Sequence, residues 1–215
     1  MSTSPKSIKR VRRSHAERSE TTRKELVTAT IRVIEERGLE GASIYEIARA
    51  AGMTPGAIQH HYESKWALIR EAAAHLIHLD DQYGSVEVWP QTSGTIERRA
   101  RLAITTAWNA MYAAPHYLTM WSIFLSCRTE SELLNSMASE REQLRQRTLD
   151  GFFRSFPELA DHPQGEDVAN LVFSTLRGMG LNELFKLPKA ASARQINLLA
   201  EVVSMHCTAA ASELT

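Results

Sequence analysis

Two cysteines in 215 residues, Cys127 and Cys207, are too few and too far apart for a disulfide framework or a metal-ligand spacing. Buried free thiols in the reducing cytoplasm are the expectation. No run of about 18 apolar residues exists, so no membrane span is expected. The basic N-terminus is followed by no apolar signal core. Nowhere does the chain read as a strand, and it holds no Gly-rich phosphate loop. No Ser/His/Asp or Cys/His arrangement falls on a predicted loop. Catalysis therefore has no visible apparatus; no enzyme activity, cofactor or metal is expected. Net charge is missing too, since 25 Lys and Arg balance 25 Asp and Glu.

That balance is uneven along the chain. Residues 1–70 hold 13 basic against 8 acidic side chains, and the remainder holds 12 against 17. A basic third beside an acidic remainder favours a local anionic partner, as DNA would be. The hydrophobic content of 43% suits one or two compact domains with a core.

The stretch Ser43 to Lys65 organises the rest. Ser43 is an N-cap candidate, and Glu46 three residues later completes a capping box. Ile44, Ile47, Ala48 and Ala51 give a first helix a narrow apolar face, and Ala48 is small enough for a second helix to cross close by. Gly52 ends that helix where positive φ is needed, and Met53 plugs the turn. Thr54 caps a second helix with Pro55 at its first position, where no hydrogen bond is lost. Ile58 faces the core, leaving Ala57, Gln59 and His60 outward. Two short helices crossed this tightly make a helix-turn-helix, residues 43–62, built to enter the DNA major groove. A compact helical hairpin without DNA binding is the bland alternative.

Thr22-Arg23-Lys24, Gly38, Ala42-Ser43-Ile44, Ile47-Ala48, Ala50-Ala51-Gly52, Gly56, His61-Tyr62 and Ser64-Lys65 together resemble the N-terminal signature of the TetR family of bacterial transcriptional repressors. The resemblance covers roughly residues 20 to 70. It implies that His61 and Tyr62 dock the head on the DNA backbone, that Lys65 and Ser43 contact phosphates, and that inducer binding and dimerisation lie in the C-terminal domain. Gln59 departs from the family, which usually has Tyr there, so that contact does not carry over. On its own chemistry Gln59 is the best base reader, since its amide can pair with adenine N6 and N7. Thr54 can cap and also donate to a phosphate. Pro55, Gly56 and Ala57 let the helix sit close to base edges, His60 can donate to guanine or phosphate, and Tyr45 sits at the groove edge. For Tyr62 pure core packing is the competing reading.

In chain order, residues 1–20, with Lys6, Lys9, Arg10, Arg12 and Arg13, read as a basic flexible arm, either a solvated tail or a minor-groove tracker. Thr22 to Glu25 reads as a capping box opening a helix that Gly38 stops. Residues 21–66 form the DNA-binding head and 67–215 a helical ligand-binding and dimerisation domain, about nine helices in all. Ser64 caps a helix carrying Trp66, Leu68, Ile69, Ala72, Ala73, Leu76 and Ile77 to about Gln82. On it, His75 and His78, with Asp80 and Asp81 beyond, are ordinary histidines or a weak metal candidate lacking a third ligand. Residues 83–94 read as a loop. A helix from Thr95 to Ala113, with Arg99 and Leu102 on its stripe, precedes a segment from Pro115 to Cys127 that is apolar nearly all round and reads as buried. Trp108, Met111, Tyr112, Tyr117, Met120, Trp121 and Phe124 are a filled core or the wall of a pocket for a large greasy or cationic molecule. Thr129 opens a helix running to about Phe156. The last two helices, from Glu166 to Leu187 and from a cap at Ser192, carry Val168, Leu171, Val172, Thr175, Leu176, Met179, Ile196, Leu199, Val203 and His206, which pair across a homodimer or pack within one subunit.

The expected function is an all-α, sequence-specific regulator, a cytoplasmic homodimer released from a near-palindromic double-stranded operator by a small-molecule effector. A constitutive DNA-binding protein without a ligand, and a helical metal protein or enzyme, are the alternatives.

Overall fold

The computed structural model describes residues 15–83, 88–90, 93–126, 131–186 and 188–213. Ten α-helices and no strand occur among them: α1 (His15–Gly41), α2 (Ile44–Ala51), α3 (Pro55–His61), α4 (Lys65–Tyr83), α5 (Ile96–Ala107), α6 (Pro115–Ser126), α7 (Ser131–Ser136), α8 (Ala138–Ser155), α9 (Gly165–Asn182) and α10 (Lys189–Glu213). The chain divides into two compact units, one ending at Leu68 and one beginning at Ile69.

In the first unit α1 and α2 pack on each other, and α3 closes the set. Its core is Leu26, Val27, Ala29, Val33, Ile34, Ile47, Ala48 and Ile58. The part of the basic arm up to residue 14 lies outside the described residues. From His15 the chain is helical, so the expected arm reached too far and Thr22 lies inside a helix rather than at a cap. The Glu20–Lys24 ion pair, at 2.7 Å and correctly oriented at i, i+4, supports the extra turns. Gly38 breaks α1 with φ 70°, ψ 172°, a conformation only glycine adopts cheaply.

In the second unit α10 packs chiefly along α5, and α9 lies against α6, α8 and α10. Several boundaries differ from expectation. The predicted helix 95–113 changes at Trp108 into one π turn, Trp108–Tyr112, closed by the Ala113 N–H on the Trp108 carbonyl at 2.9 Å. Leu102 on that helix is exposed, and Arg99 instead turns inward to pair with Glu158 and to donate to the Ser155 carbonyl at 2.9 Å. The helix expected from Thr129 to Phe156 is two helices, broken at Met137, which is buried and has φ −108°, ψ 6°. Thr129 and Cys127 lie outside the described residues. α9 ends at Asn182 in a short 3-10 turn rather than at Leu187. The final helix starts three residues before Ser192, because the Pro188 carbonyl already accepts the Ala191 N–H at 2.8 Å. α6 is not buried all round: Leu125 is 56% exposed, with Trp121 and Phe124 half-buried.

The expected loop 83–94 holds a core anchor. Tyr83 still belongs to α4, while Val88 and Trp89 are fully buried. Trp89 meets Phe152 and Phe173 edge-on, at 5.6 and 5.7 Å between ring centroids. A Cβ on Gly151 would stand 2.6 Å from Trp89 Cδ1, so the mid-helix glycine is what lets the indole lie against α8. Cys207 is buried without a disulfide.

Candidate functional site

The head forms from local rules. The Glu46 N–H donates to Ser43 Oγ at 3.2 Å, which starts α2. The reciprocal half of the capping box does not close. Glu46 turns to Arg49 at 2.7 Å and Arg37 at 2.9 Å instead, and the Arg49 hydrogen bond, with both positive charges, holds its carboxyl below the usual carboxylate range. Gly52 takes φ 67°, ψ 29°, and its N–H reaches the Ala48 and Arg49 carbonyls. Thr54 Oγ1 accepts the Ala57 N–H at 3.2 Å, with Pro55 in the first turn of α3. Ser64 Oγ accepts the Ala67 N–H at 3.1 Å and opens α4.

On this scaffold Thr54, Gly56, Gln59 and His60 are exposed, Pro55, Ala57 and His61 are half-buried, and Ile58 is fully buried. The seven-residue α3 thus shows solvent a face of small and amide side chains. Tyr45 on α2 is 75% exposed. Nothing inside the chain requires glycine at 56, where an added Cβ would meet only Thr54 Oγ1 at 3.9 Å. Tyr62 is 5% exposed, with the Arg23 guanidinium 4.8 Å from its ring centre, so its ring packs the head. Lys65 is half-buried; its Nζ donates to the Leu39 carbonyl at 3.4 Å and lies 5.8 Å from the Trp66 ring centre.

The second unit holds a cavity of about 520 Å³, within the range of small-molecule sites. Six of the seven aromatic and methionine residues singled out in the sequence line it: Met111, Tyr112, Tyr117, Met120, Trp121 and Phe124. Trp108 does not line it; it is buried elsewhere, at the start of the π turn. Tyr112 and Tyr117 stack edge-on at 5.3 Å, Tyr117 and Trp121 at 6.4 Å, and Trp121 and Phe124 at 6.2 Å. Gly180 permits this corner, since a Cβ there would stand 2.7 Å from both the Tyr112 carbonyl and the Tyr117 ring. Sequence reading missed the opposite wall. Arg141, Leu144, Arg145 and Thr148 come from α8, Phe173 and Arg177 from α9, and Ile77 from α4. The α8 residues recur at i, i+3, i+4 and i+7, a face hidden by the charge of its neighbours.

Of the ten residues expected between subunits, seven are buried within one chain: Val168, Val172, Leu176, Met179, Ile196, Leu199 and Val203. They serve the core of the second unit, where α10 meets α5 and α9, and have almost no surface left for a second chain. Leu171 stays exposed, with Thr175 and His206 half-buried. The outer faces of the same helices carry Leu198 at 62% and Met205 at 72% exposure. Gly178 is exposed, with nothing within 4 Å of a Cβ built on it. No three His, Cys, Asp or Glu among the described residues gather as a metal site; the side chains of His78, Asp80 and Asp81 lie outside them. No described helix is long and apolar enough to cross a membrane.

The sequence model of the bacterial regulatory proteins of the tetR family matches residues 26–72, which span the head and the first half of α4. The HTH-type transcriptional regulator BetI of Escherichia coli O45:K1 (strain S88 / ExPEC) is 31% identical over 136 residues, covering 57% of this chain and 69% of that protein. A structure assigned to the TetR family, from Mesorhizobium loti MAFF303099, superposes with a TM-score of 0.72 at 18% identity, over 86% of this chain and 96% of that one. A transcriptional regulator from Saccharomonospora viridis, solved in complex with choline, has a TM-score of 0.62 at 18% identity, over 87% and 97%. The matched residues include the caps, turn and outward face described above, and the chain belongs to the TetR family of helix-turn-helix, DNA-binding transcriptional regulators.

Proposed function

We propose that the protein is a ligand-responsive repressor, acting as a homodimer on a near-palindromic operator and released from it by a small molecule. The observation that carries the reading is a pairing within one chain: a helix-turn-helix with an outward Gln59, and a 520 Å³ aromatic cavity in the second unit. The helix α4 begins at Lys65 in the first unit and, in the second, contributes Ile77 to the cavity wall. Two recognition helices in a dimer would fall one DNA turn apart, about 34–36 Å. Effector in the cavity shifts the dimer toward a state with a different spacing, by as much as it prefers that state. That a regulator of the same fold holds choline supports an effector cavity in this fold. Bases are read by Gln59 and His60, phosphates by Ser43, Thr54, His61 and Lys65, with Tyr45, Pro55, Gly56, Ala57 and Tyr62 shaping the approach.

The test is a gel shift on the DNA flanking the protein's own coding region, across a salt series. A discrete complex that survives random competitor DNA is the expected result. Smearing that vanishes with moderate salt at every sequence in that region would count against a specific operator there. A constitutive binder would show the same complex with no saturable effect of any added small molecule.

A further inference from the structure

Among the described residues the charged lining of the cavity is one-sided. The charged side chains among the described lining residues are Arg141, Arg145, Arg177 and Glu142. Glu142 is spent: Arg145 grips it with Nη2 at 2.8 Å and Nε at 3.0 Å, and the remaining arm of Arg145 reaches Glu166 at 3.5 Å. Arg141 and Arg177 have no carboxylate within ion-pair distance among the described residues, although both border the same space. The Trp121 Nε1–H is a third unmatched donor; it is buried with no hydrogen-bond partner. An indole N–H can only donate, and left unmatched it costs the desolvation of that group.

The aromatic wall alone would suit a quaternary ammonium as well as a lipid. The rim argues against the ammonium. The Arg177 guanidinium stands 5.8 Å from the centre of the Trp121 ring, so a cation already faces the ring that an incoming cation would need. No unengaged acid among the described lining residues is left to receive one. Resting on the reading of this cavity as the effector site, we propose that the effector is an amphipathic organic anion. Its apolar body lies among Met111, Tyr117, Met120 and Phe124, and its carboxylate is held by Arg141, Arg177 and Trp121 Nε1. Arginine is suited to this, because its planar fork matches a carboxylate and its charge persists at any working pH.

Titration calorimetry on the full-length protein tests this with four probes of controlled charge: octanoate, octanol, octyltrimethylammonium and choline. Octanoate is expected to bind at least about tenfold more tightly than octanol, with neither cation detectable. Arg177→Gln and Arg141→Gln should each weaken octanoate by about tenfold while leaving octanol within about twofold, which shows that the cavity is still folded. Octyltrimethylammonium or choline binding as tightly as octanoate would overturn the anionic assignment and leave the cavity as an effector site. Octanoate affinity unchanged in both Arg variants would overturn it as well. No binding by any of the four, with no release of operator DNA, would overturn the effector reading itself and this assignment with it.

Discussion

At the scale of single residues, the head separates side chains that the fold needs from those it does not. Gly52 is needed by the fold, because its φ of 67° is a left-handed turn. Gly56 is not, since it is exposed and its missing Cβ would touch almost nothing. Gly56→Leu should therefore leave the unfolding free energy within about 0.5 kcal/mol of the parent, yet abolish operator binding in a gel shift, because a bulky side chain would hold α3 off the bases. Retained operator affinity would mean that α3 does not approach DNA by this face. Gln59→Ala should cost about 1–3 kcal/mol on operator DNA and nothing on random DNA. Lys65→Ala should weaken both alike and flatten the salt slope by about one unit. Equal losses for Gln59→Ala on both DNAs would remove it as a base reader.

At the scale of elements, what was legible was what is decided within a few residues. Ser43, Thr54 and Ser64 cap as their side chains predict, and Gly52 turns where a left-handed residue is required. The misplaced starts are also instructive. Ser192 had cap chemistry, but Pro188 lies upstream and its carbonyl accepts first. Glu46 had capping-box spacing, but two arginines outcompeted one backbone N–H for its carboxylate. Nothing local marks Trp89 as core, since a lone indole in a Gly/Ser/Pro segment has no period; its partners Gly151, Phe152 and Phe173 are over 60 residues away. Trp89→Ala should lower stability by about 3–5 kcal/mol, read by chemical denaturation. A loss under 1 kcal/mol would show that the segment is an ornament on the core rather than part of it.

At the scale of the whole molecule, the inward residues of α9 and α10 are buried within one chain, so the proposed dimer would have to use the outer faces of these helices. Leu171 on α9 and Leu198 and Met205 on α10 are exposed there, and nothing lies within 4 Å of a Cβ built on Gly178 of α9. The double variant Leu198→Arg, Met205→Glu is expected to run as a monomer in light scattering with its helical content intact, and to lose operator affinity. A dimer of undiminished affinity would place the interface elsewhere. Cys207 gives the chain a chemical reporter of opening. Burial, reinforced by the nearby Glu158 charge and only partly offset by Arg99, pushes its thiol up to about 12 from 9.0. Above pH 9 the unfolded thiol ionises while the folded one keeps its proton, so stability should fall as pH climbs from about 9 toward 12. In a Cys127→Ser background, iodoacetamide at pH 8 should label the chain only in denaturant; rapid labelling of the native protein would contradict the burial.

The π turn at Trp108–Tyr112 ends α5 and holds one residue more than an α-helical turn would. A single residue advances an α-helix by about 100°. Met111 and Tyr112 therefore reach the cavity out of phase with α5, whose inward stripe of Ala100, Ala103, Ile104 and Ala107 is set by its own count from Thr95. Such a phase error is invisible to substitution, which preserves length, and is erased by deletion. Removing Ala110 alone would let this last turn close as an ordinary helical turn, swing Met111 and Tyr112 by about 100°, and withdraw them from the cavity wall.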